Sequence, residues 1–123
     1  MNDMARSKTV IACNHDEALS VMAALVMGAA AAATGEEVLM FFQPGAAKTL
    51  VAGELEKFQG LKGQPDPVML FESIAELDGR FILCELGVPI WDIEATDLRE
   101  GVEVMMASSF LFEAEDANMV FSY

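Results

Sequence analysis

The chain has 123 residues, of which 54% are hydrophobic, and it carries 20 acidic against 7 basic side chains for a net charge of −13. This length fits a single domain that spans residues 1–123. Without a basic surface a protein cannot neutralise phosphate groups, so the charge argues against nucleic acid and anionic membranes as partners.

The cysteine content indicates the compartment. Only Cys13 and Cys84 are present, far apart and outside any CxxC or zinc-type spacing. Two such cysteines do not form a disulfide scaffold, which favours a reducing, intracellular environment. Residues 1–9 have no apolar core of the kind found in signal peptides, so we expect no secretion signal there.

Four unbroken apolar runs predict the strands of the sheet. None of the runs alternates polar with apolar residues, and such runs are typical of strands covered by helices on both faces. The runs lie at residues 9–13, 38–42, 81–84 and 119–121.

The first predicted helix follows Cys13 directly and carries no charge between residues 18 and 34. Asn14 would cap it with Glu17 as capping-box partner, and Gly35 would end it. The uncharged stretch is shorter than the ~20 residues of a spanning helix and has acidic flanks, so we expect no membrane span. Because the helix is apolar nearly all round, we expect a neighbouring subunit to cover the side that the sheet leaves open.

The later helices alternate with the strands. Asp66 and Pro67 begin one that Gly79 closes, a weaker helix with Gly53 inside it covers residues 47–58, and residues 107–114 form the last one. Residues 102–105 add a short strand. This order predicts right-handed crossovers and an α/β fold, with a parallel sheet covered by helices on both faces.

Ligands of open parallel sheets bind beyond the carboxyl ends of the strands, and this rule selects the candidate site residues. Both cysteines and the only histidine fall at this edge of the predicted sheet. The candidates are Cys13 and His15 after the first strand, Gln43 and Gly45 after the second, Cys84 and Glu85 after the third, and Trp91 in the following loop.

Each candidate also has a structural interpretation. Cys84 is either a small buried hydrophobe at a strand end or a reactive thiolate. His15 lacks a third ligand beside Cys13, so an exposed first-turn residue is favoured over a metal ligand. For Trp91 we favour a loop anchor or subunit contact. The amides around Gly45 precede a predicted helix and could bind an anion, although they match no phosphate motif.

Five segments spread over nearly the whole chain form a set: the strand start at 9–12, the Ala-rich helix closing at 34–38, the strand end at 41–42, the segment GRFILC at 79–84 and the segment DLREGVEV at 97–104. Through these segments the chain resembles the DsrE/DsrF-like sulfur-relay proteins, which include TusD-type sulfurtransferases. The resemblance implies a three-layer α/β/α fold with a mainly parallel five-stranded sheet, a cytoplasmic location, homo-oligomers that are often trimers or hexamers, and no organic cofactor.

By the same resemblance, Cys84 is the catalytic residue. It would accept sulfane sulfur as a persulfide by thiolate attack on a sulfur–sulfur bond and exchange it with sulfur-donor and sulfur-acceptor proteins. The other candidates at this edge would support it. The sequence departs from the family pattern at Glu85 and Leu86, where small or hydroxyl residues are common, and a carboxylate beside a thiol disfavours the thiolate.

Two other functions stay open at this point. A non-catalytic oligomeric module of the same fold would bind a small ligand or a protein at the same edge. A thiol redox protein would pair Cys13 with Cys84, which requires their Cα atoms to lie within about 7 Å of each other.

Overall fold

A computed structural model describes residues 6–123, so the expectation drawn from residues 1–9 lies largely outside the described residues. Within them, one sheet contains five strands, all of which pair in parallel. The predicted α/β class with a parallel five-stranded sheet is confirmed. The strands are β1 (Lys8–Cys13), β2 (Glu37–Phe42), β3 (Arg80–Cys84), β4 (Glu103–Met105) and β5 (Ala117–Ser122), in the spatial order β4-β3-β2-β1-β5.

The helices lie on both faces of this sheet and give three layers. They are α1 (Ala18–Ala33), α2 (Pro67–Glu76), α3 (Gly87–Ile90) and α4 (Ala107–Glu113). Because strand side chains alternate between the faces, two separate apolar clusters form. One contains Ile11 and Phe81 with α1 and α2, and we call it the α1 face. The other contains Val10 and Ile82 with α4, and we call it the α4 face.

The ends of α1 differ in how well the sequence predicts them. The helix begins at Ala18 with Glu17 at the N-cap and no side-chain cap, so the predicted Asn14 cap is wrong. The Asn14 side chain instead accepts the N–H of Gly45, at 2.9 Å. The predicted end is right, because Gly35 adopts a left-handed φ of 93°. Its N–H and that of Glu36 then bond to the last free carbonyl groups of the helix.

Helix α2 begins as predicted, but a different residue from the one expected turns the chain at its end. The Asp66 side chain accepts the N–H of Val68 at 2.8 Å, and Pro67 occupies the first turn. At the other end Asp78, not Gly79, takes the left-handed conformation, with φ 67°. Gly79 is required for a steric reason, because a Cβ there would overlap the side chain of Ile74.

The helix predicted over residues 47–58 is wrong. Two short 3₁₀ segments, Pro44–Leu50 and Leu55–Phe58, replace it. Between them Gly53 has a φ of 90°, which a helix does not allow, and Val51 forms an antiparallel bridge with Leu98. Tertiary pairing with the loop before β4 therefore overrides the local helical pattern.

Helix α1 is only partly enclosed. Its inner side is buried against the sheet and α2, whereas Leu19 is 69% and Val26 38% exposed. Together with the exposed Ala30 and Ala33, these residues form an uncharged outer stripe. In residues 6–123, no helix is both long enough and apolar enough to cross a membrane.

Candidate functional site

The two cysteines end strands that are not neighbours. β2 separates β1, which ends at Cys13, from β3, which ends at Cys84. Two strand spacings place their Cα atoms about 9–10 Å apart, beyond the disulfide reach of about 7 Å. The side chains also belong to opposite faces of the sheet. The thiol redox interpretation, which needed the two cysteines within reach, is therefore wrong for this fold.

Cys13 lies in the core of the α1 face with no exposed surface. Its thiol donates to the carbonyl oxygen of His15, at 3.4 Å. Burial raises the pKa of the Cys13 thiol; the backbone of His15 lowers it by a smaller amount, and the charge of Asp16 raises it slightly further. The neutral thiol is the stable form here, which favours a structural role over nucleophilic chemistry.

Cys84 occupies the carboxyl end of β3 on the α4 face, opposite Met105 of β4. Its neighbours in that cluster include Phe41 and Phe110, whose rings stack with centroids 3.9 Å apart. The residue is 4% exposed. Among the described helices only the seven-residue α4 contributes to the cluster that covers it. A thiol at a strand end under one short helix is the more accessible of the two.

Gln43 lies beside Cys84. It directly follows Phe42, whose partner in β3 is Leu83, so Gln43 and Cys84 take the next pair of positions on adjacent strands. It lines a hollow with Phe41 and Phe110, which places its side chain on the α4 face. The structure thus brings one predicted supporting residue next to the candidate thiol.

A groove of about 470 Å³ runs between α4 and the neighbouring strands on this face. The α4 positions that line it are spaced by three and four residues, so they share one side of the helix. None of the lining side chains is charged, and Gln43 is the polar one at the strand ends. The lining residues are Val10, Ala12, Phe41, Gln43, Ala107, Phe110, Leu111, Ala114, Ala117 and Val120.

Gly45 and Trp91 hold loops together. The Gly45 N–H is donated to Asn14, as described above, and a Cβ at Gly45 would overlap the backbone of Asn14. The indole N–H of Trp91 donates to the carbonyl oxygen of Pro44 at 2.8 Å. The Gly45 amide is therefore already bonded within the chain, which argues against the anion site considered for this turn.

The remaining candidates face solvent. His15 is exposed in the loop after β1, and Glu85 is exposed directly after Cys84. The Glu85 N–H donates to the carbonyl oxygen of Met105 at 3.0 Å, which continues the pairing of β3 with β4. Among residues 6–123, no group of three His, Cys, Asp or Glu side chains is placed to hold a metal ion.

Charged side chains at the opposite edge fix α4 over the sheet. Arg80 of β3 forms two hydrogen bonds of 2.8 Å with Glu103 of β4 and also pairs with Glu113 at the end of α4. Lys8 of β1 donates to the carbonyl oxygens of Glu113 and Glu115, at 2.7 and 3.1 Å. Arg80 lowers the pKa of Glu103. These contacts anchor the carboxyl end of α4, whereas its N-cap, Met106, makes no side-chain capping hydrogen bond.

Sequence reasoning missed two residues at this site: one that shares the apolar cluster of the thiol, and one that anchors α4 over the sheet. Phe110 was expected only as part of a helix, and Arg80 only as part of the segment 79–84. The available signal was that one basic and two acidic side chains could pair. Because Arg80, Glu103 and Glu113 lie on three separate elements, the predicted topology does not by itself bring them together.

Comparison with known proteins shows the fold. No family model and no curated protein sequence matches the chain. Among solved structures, it is similar to the crystal structure of the ychN protein from E. coli, with a TM-score of 0.77 and 17% sequence identity. The match covers 95% of this chain and 99% of that one. The ychN protein has a DsrE/DsrF-like fold, and the predicted resemblance is confirmed at that level: the chain has the DsrE/DsrF-like fold.

Proposed function

We propose that this protein is an intracellular sulfur-relay protein that carries sulfane sulfur as a persulfide on Cys84. The observation that carries the proposal is the position of Cys84, at the carboxyl end of a parallel strand and on the face that one short helix covers. Ligand sites of open parallel sheets lie at this edge. The DsrE/DsrF-like fold agrees with such a role at the level of the family resemblance.

The proposed transfer is a thiol–disulfide type exchange. The Cys84 thiolate attacks the outer sulfur of a donor persulfide, a new sulfur–sulfur bond forms on Cys84, and the donor leaves as its thiolate. One sulfur–sulfur bond breaks and one forms, so no oxidant or reductant is needed. Because Cys84 is 4% exposed, the reaction requires a local opening of α4, and short helices with few contacts open at low free-energy cost.

Mass spectrometry after incubation with polysulfide or a persulfide-loaded rhodanese tests the proposal. We expect a gain of about 32 Da, the mass of one sulfur atom, on the peptide that contains Cys84. The Cys84→Ser variant should show no gain, and the matched Cys13→Ser variant should behave like the wild type. Absence of added sulfur on Cys84 with both donors would overturn the proposed function.

The second candidate is a non-catalytic oligomeric module that binds a small ligand or a protein at the same edge. The observation that favours it is the burial of Cys84 in the same apolar cluster as Phe110. This function predicts that Cys84→Ser leaves ligand or partner binding intact, whereas a carrier loses its sulfur load. Binding measured for both variants against the same partner separates the two functions.

We also propose that the protein is a homo-oligomer, as trimers or hexamers are expected from the family resemblance. The outer stripe of α1 supports this, because it is apolar and uncharged in a chain of net charge −13, so a second copy meets no like charge there. Sedimentation velocity tests it, with Leu19→Glu expected to dissociate the assembly. A stable monomer at micromolar concentration would contradict the proposal.

A further inference from the structure

The groove on the α4 face and the cluster around Cys84 share a wall. Phe41 and Phe110 line the groove and also belong to the cluster that buries the thiol. Gln43, at the strand-end side of the groove, occupies the position next to Cys84. Cys84 itself does not line the groove, so a molecule bound there reaches the thiol when Phe110, which belongs to both the groove and the cluster, moves with α4.

Resting on the proposed function, we propose that this groove binds the sulfur donor, and that the donor is an uncharged organic polysulfide with small apolar substituents. The volume of about 470 Å³ lies in the range of about 300–1,000 Å³ found for small-molecule sites. The exposed side chains at its rim, Leu111 at 69% and Val120 at 67%, offer apolar surface that such substituents would cover.

Charge decides the donor class. The chain carries −13, and none of the ten lining side chains is charged. An anion such as thiosulfate would lose hydration in the groove without gaining a counter-charge, and the surrounding field would oppose its approach. An uncharged donor avoids both costs. Gln43 supplies an amide that can hydrogen-bond to sulfur near the thiol without selecting a charge.

The reaction with such a donor is balanced. The Cys84 thiolate attacks the central sulfur of R–S–S–S–R, one sulfur–sulfur bond forms and one breaks, and R–S⁻ leaves. The product is the mixed trisulfide Cys84–S–S–S–R, which retains the sulfane sulfur. No electrons are lost or gained overall, and the leaving thiolate takes a proton from water.

Two trisulfides of the same reactive core test the donor class. Dipropyl trisulfide is uncharged, and bis(carboxyethyl) trisulfide is a dianion at neutral pH. Formation of the Cys84 adduct is followed by intact-mass spectrometry. To correct for the intrinsic reactivity of each donor, its rate with Cys84 is divided by its rate with an uncharged small thiol. After this correction we expect dipropyl trisulfide to load Cys84 faster by about tenfold or more.

Variants at the groove sharpen the test. Val120→Lys places a positive charge at the exposed rim and should shift the preference toward the carboxylate donor, whereas the uncharged Val120→Gln should not. Ala12→Leu fills the groove and should slow dipropyl trisulfide by about tenfold. Ala75→Leu adds the same bulk at an exposed position of α2, on the other face of the sheet, and serves as the control. Since Val120 lies at the rim, its variants report on the proposal even if Ala12→Leu does not fold.

The outcomes separate the donor class from the proposed function. Equal corrected rates, faster loading by the carboxylate donor, or loading by rhodanese but by neither trisulfide would overturn the donor class while Cys84 stands as a sulfur carrier. If no donor of any kind loads Cys84, both fail. If Val120→Lys changes the sedimentation of the protein but not its donor preference, the groove is an interface between copies, and the inference is overturned.

Discussion

The two faces of the sheet are built differently, and the two cysteines follow that difference. On the α1 face, two helices and the 3₁₀ segments build a large core in which Cys13 has no exposed surface. On the α4 face, one seven-residue helix covers Cys84 and leaves an open groove beside it. Because its apolar core is large, we expect the α1 face to contribute most of the stability. Because a single short helix covers it, the α4 face is suited to hold a reacting group.

Two stacked phenylalanine pairs allow the largest test of this comparison. Phe71 of α2 stacks on Phe81 on the α1 face, and Phe110 of α4 stacks on Phe41 on the α4 face, both with centroids 3.9 Å apart. We expect Phe71→Ala to lower the free energy of unfolding by about 3–5 kcal/mol. Phe110→Ala should lower it by only about 1–3 kcal/mol, because the buried cluster around Phe110 is much smaller than the one around Phe71.

Denaturant unfolding of the two variants, measured at the same protein concentration, gives both values. Phe71 and Phe110 are almost equally buried, at 6% and 5% exposure, so their burial alone would predict equal losses. Equal losses, or a larger loss for Phe110→Ala, would mean that the two faces contribute alike to stability.

The second test compares the reactivity of the two thiols. Cys84 shares its cluster with a short helix whose N-cap makes no side-chain hydrogen bond, so local opening should expose it more often than Cys13. We expect iodoacetamide to modify Cys84 faster than Cys13 by about tenfold, and Phe110→Ala to accelerate Cys84 by a similar factor. Phe71→Ala, on the other face, should leave the rate at Cys84 nearly unchanged.

Site-resolved mass spectrometry after timed alkylation provides these rates under conditions in which each variant is folded. Faster modification of Cys13 would reverse the assignment of structural and reactive thiol. Equal acceleration of Cys84 by both phenylalanine variants would show global unfolding instead of the opening of α4.

The third test concerns the ion pairs that hold α4. The Glu103 carboxylate binds Arg80 in a partly exposed site, so we expect Glu103→Gln to cost about 1 kcal/mol or less, and the cost to shrink at high salt. Arg80 lowers the pKa of Glu103 below its ordinary value of 4.5. A lowered pKa stabilises the fold above that value and loses this contribution as pH falls through the folded-state pKa.

Thermal unfolding at pH 7 and at decreasing pH, in low and high salt, measures this contribution. Glu72→Gln, at an exposed position of α2, is the matched control. A salt-independent loss for Glu103→Gln would show that its effect comes from packing instead of charge.

The sequence predicted the parts of this molecule that depend on local pattern. The apolar runs located the strands, and Gly35 and Asp66 marked helix ends by local backbone chemistry. Asn14 was mispredicted because its partner, Gly45, lies 31 residues further along the chain. The segment 47–58 was mispredicted because Val51, within it, pairs with the distant Leu98. The faces of the two cysteines could not be assigned either, since that requires the strand order and the register of β2 with both neighbours.

The smallest expected effect lies at Cys13 and depends on pH. Burial raises the pKa of its thiol above the ordinary value of 9.0, so the folded chain binds a proton that the unfolded chain releases. A raised pKa stabilises the fold below pH 9 and loses this contribution as pH rises through the folded-state pKa. As pH rises above 9.0, the wild-type free energy of unfolding should therefore fall more steeply than that of Cys13→Ala, as denaturant titrations at each pH can determine. Parallel slopes would mean that the Cys13 thiol ionises as readily in the folded chain as in the unfolded chain. The core of the α1 face would then be open to solvent at the end of β1.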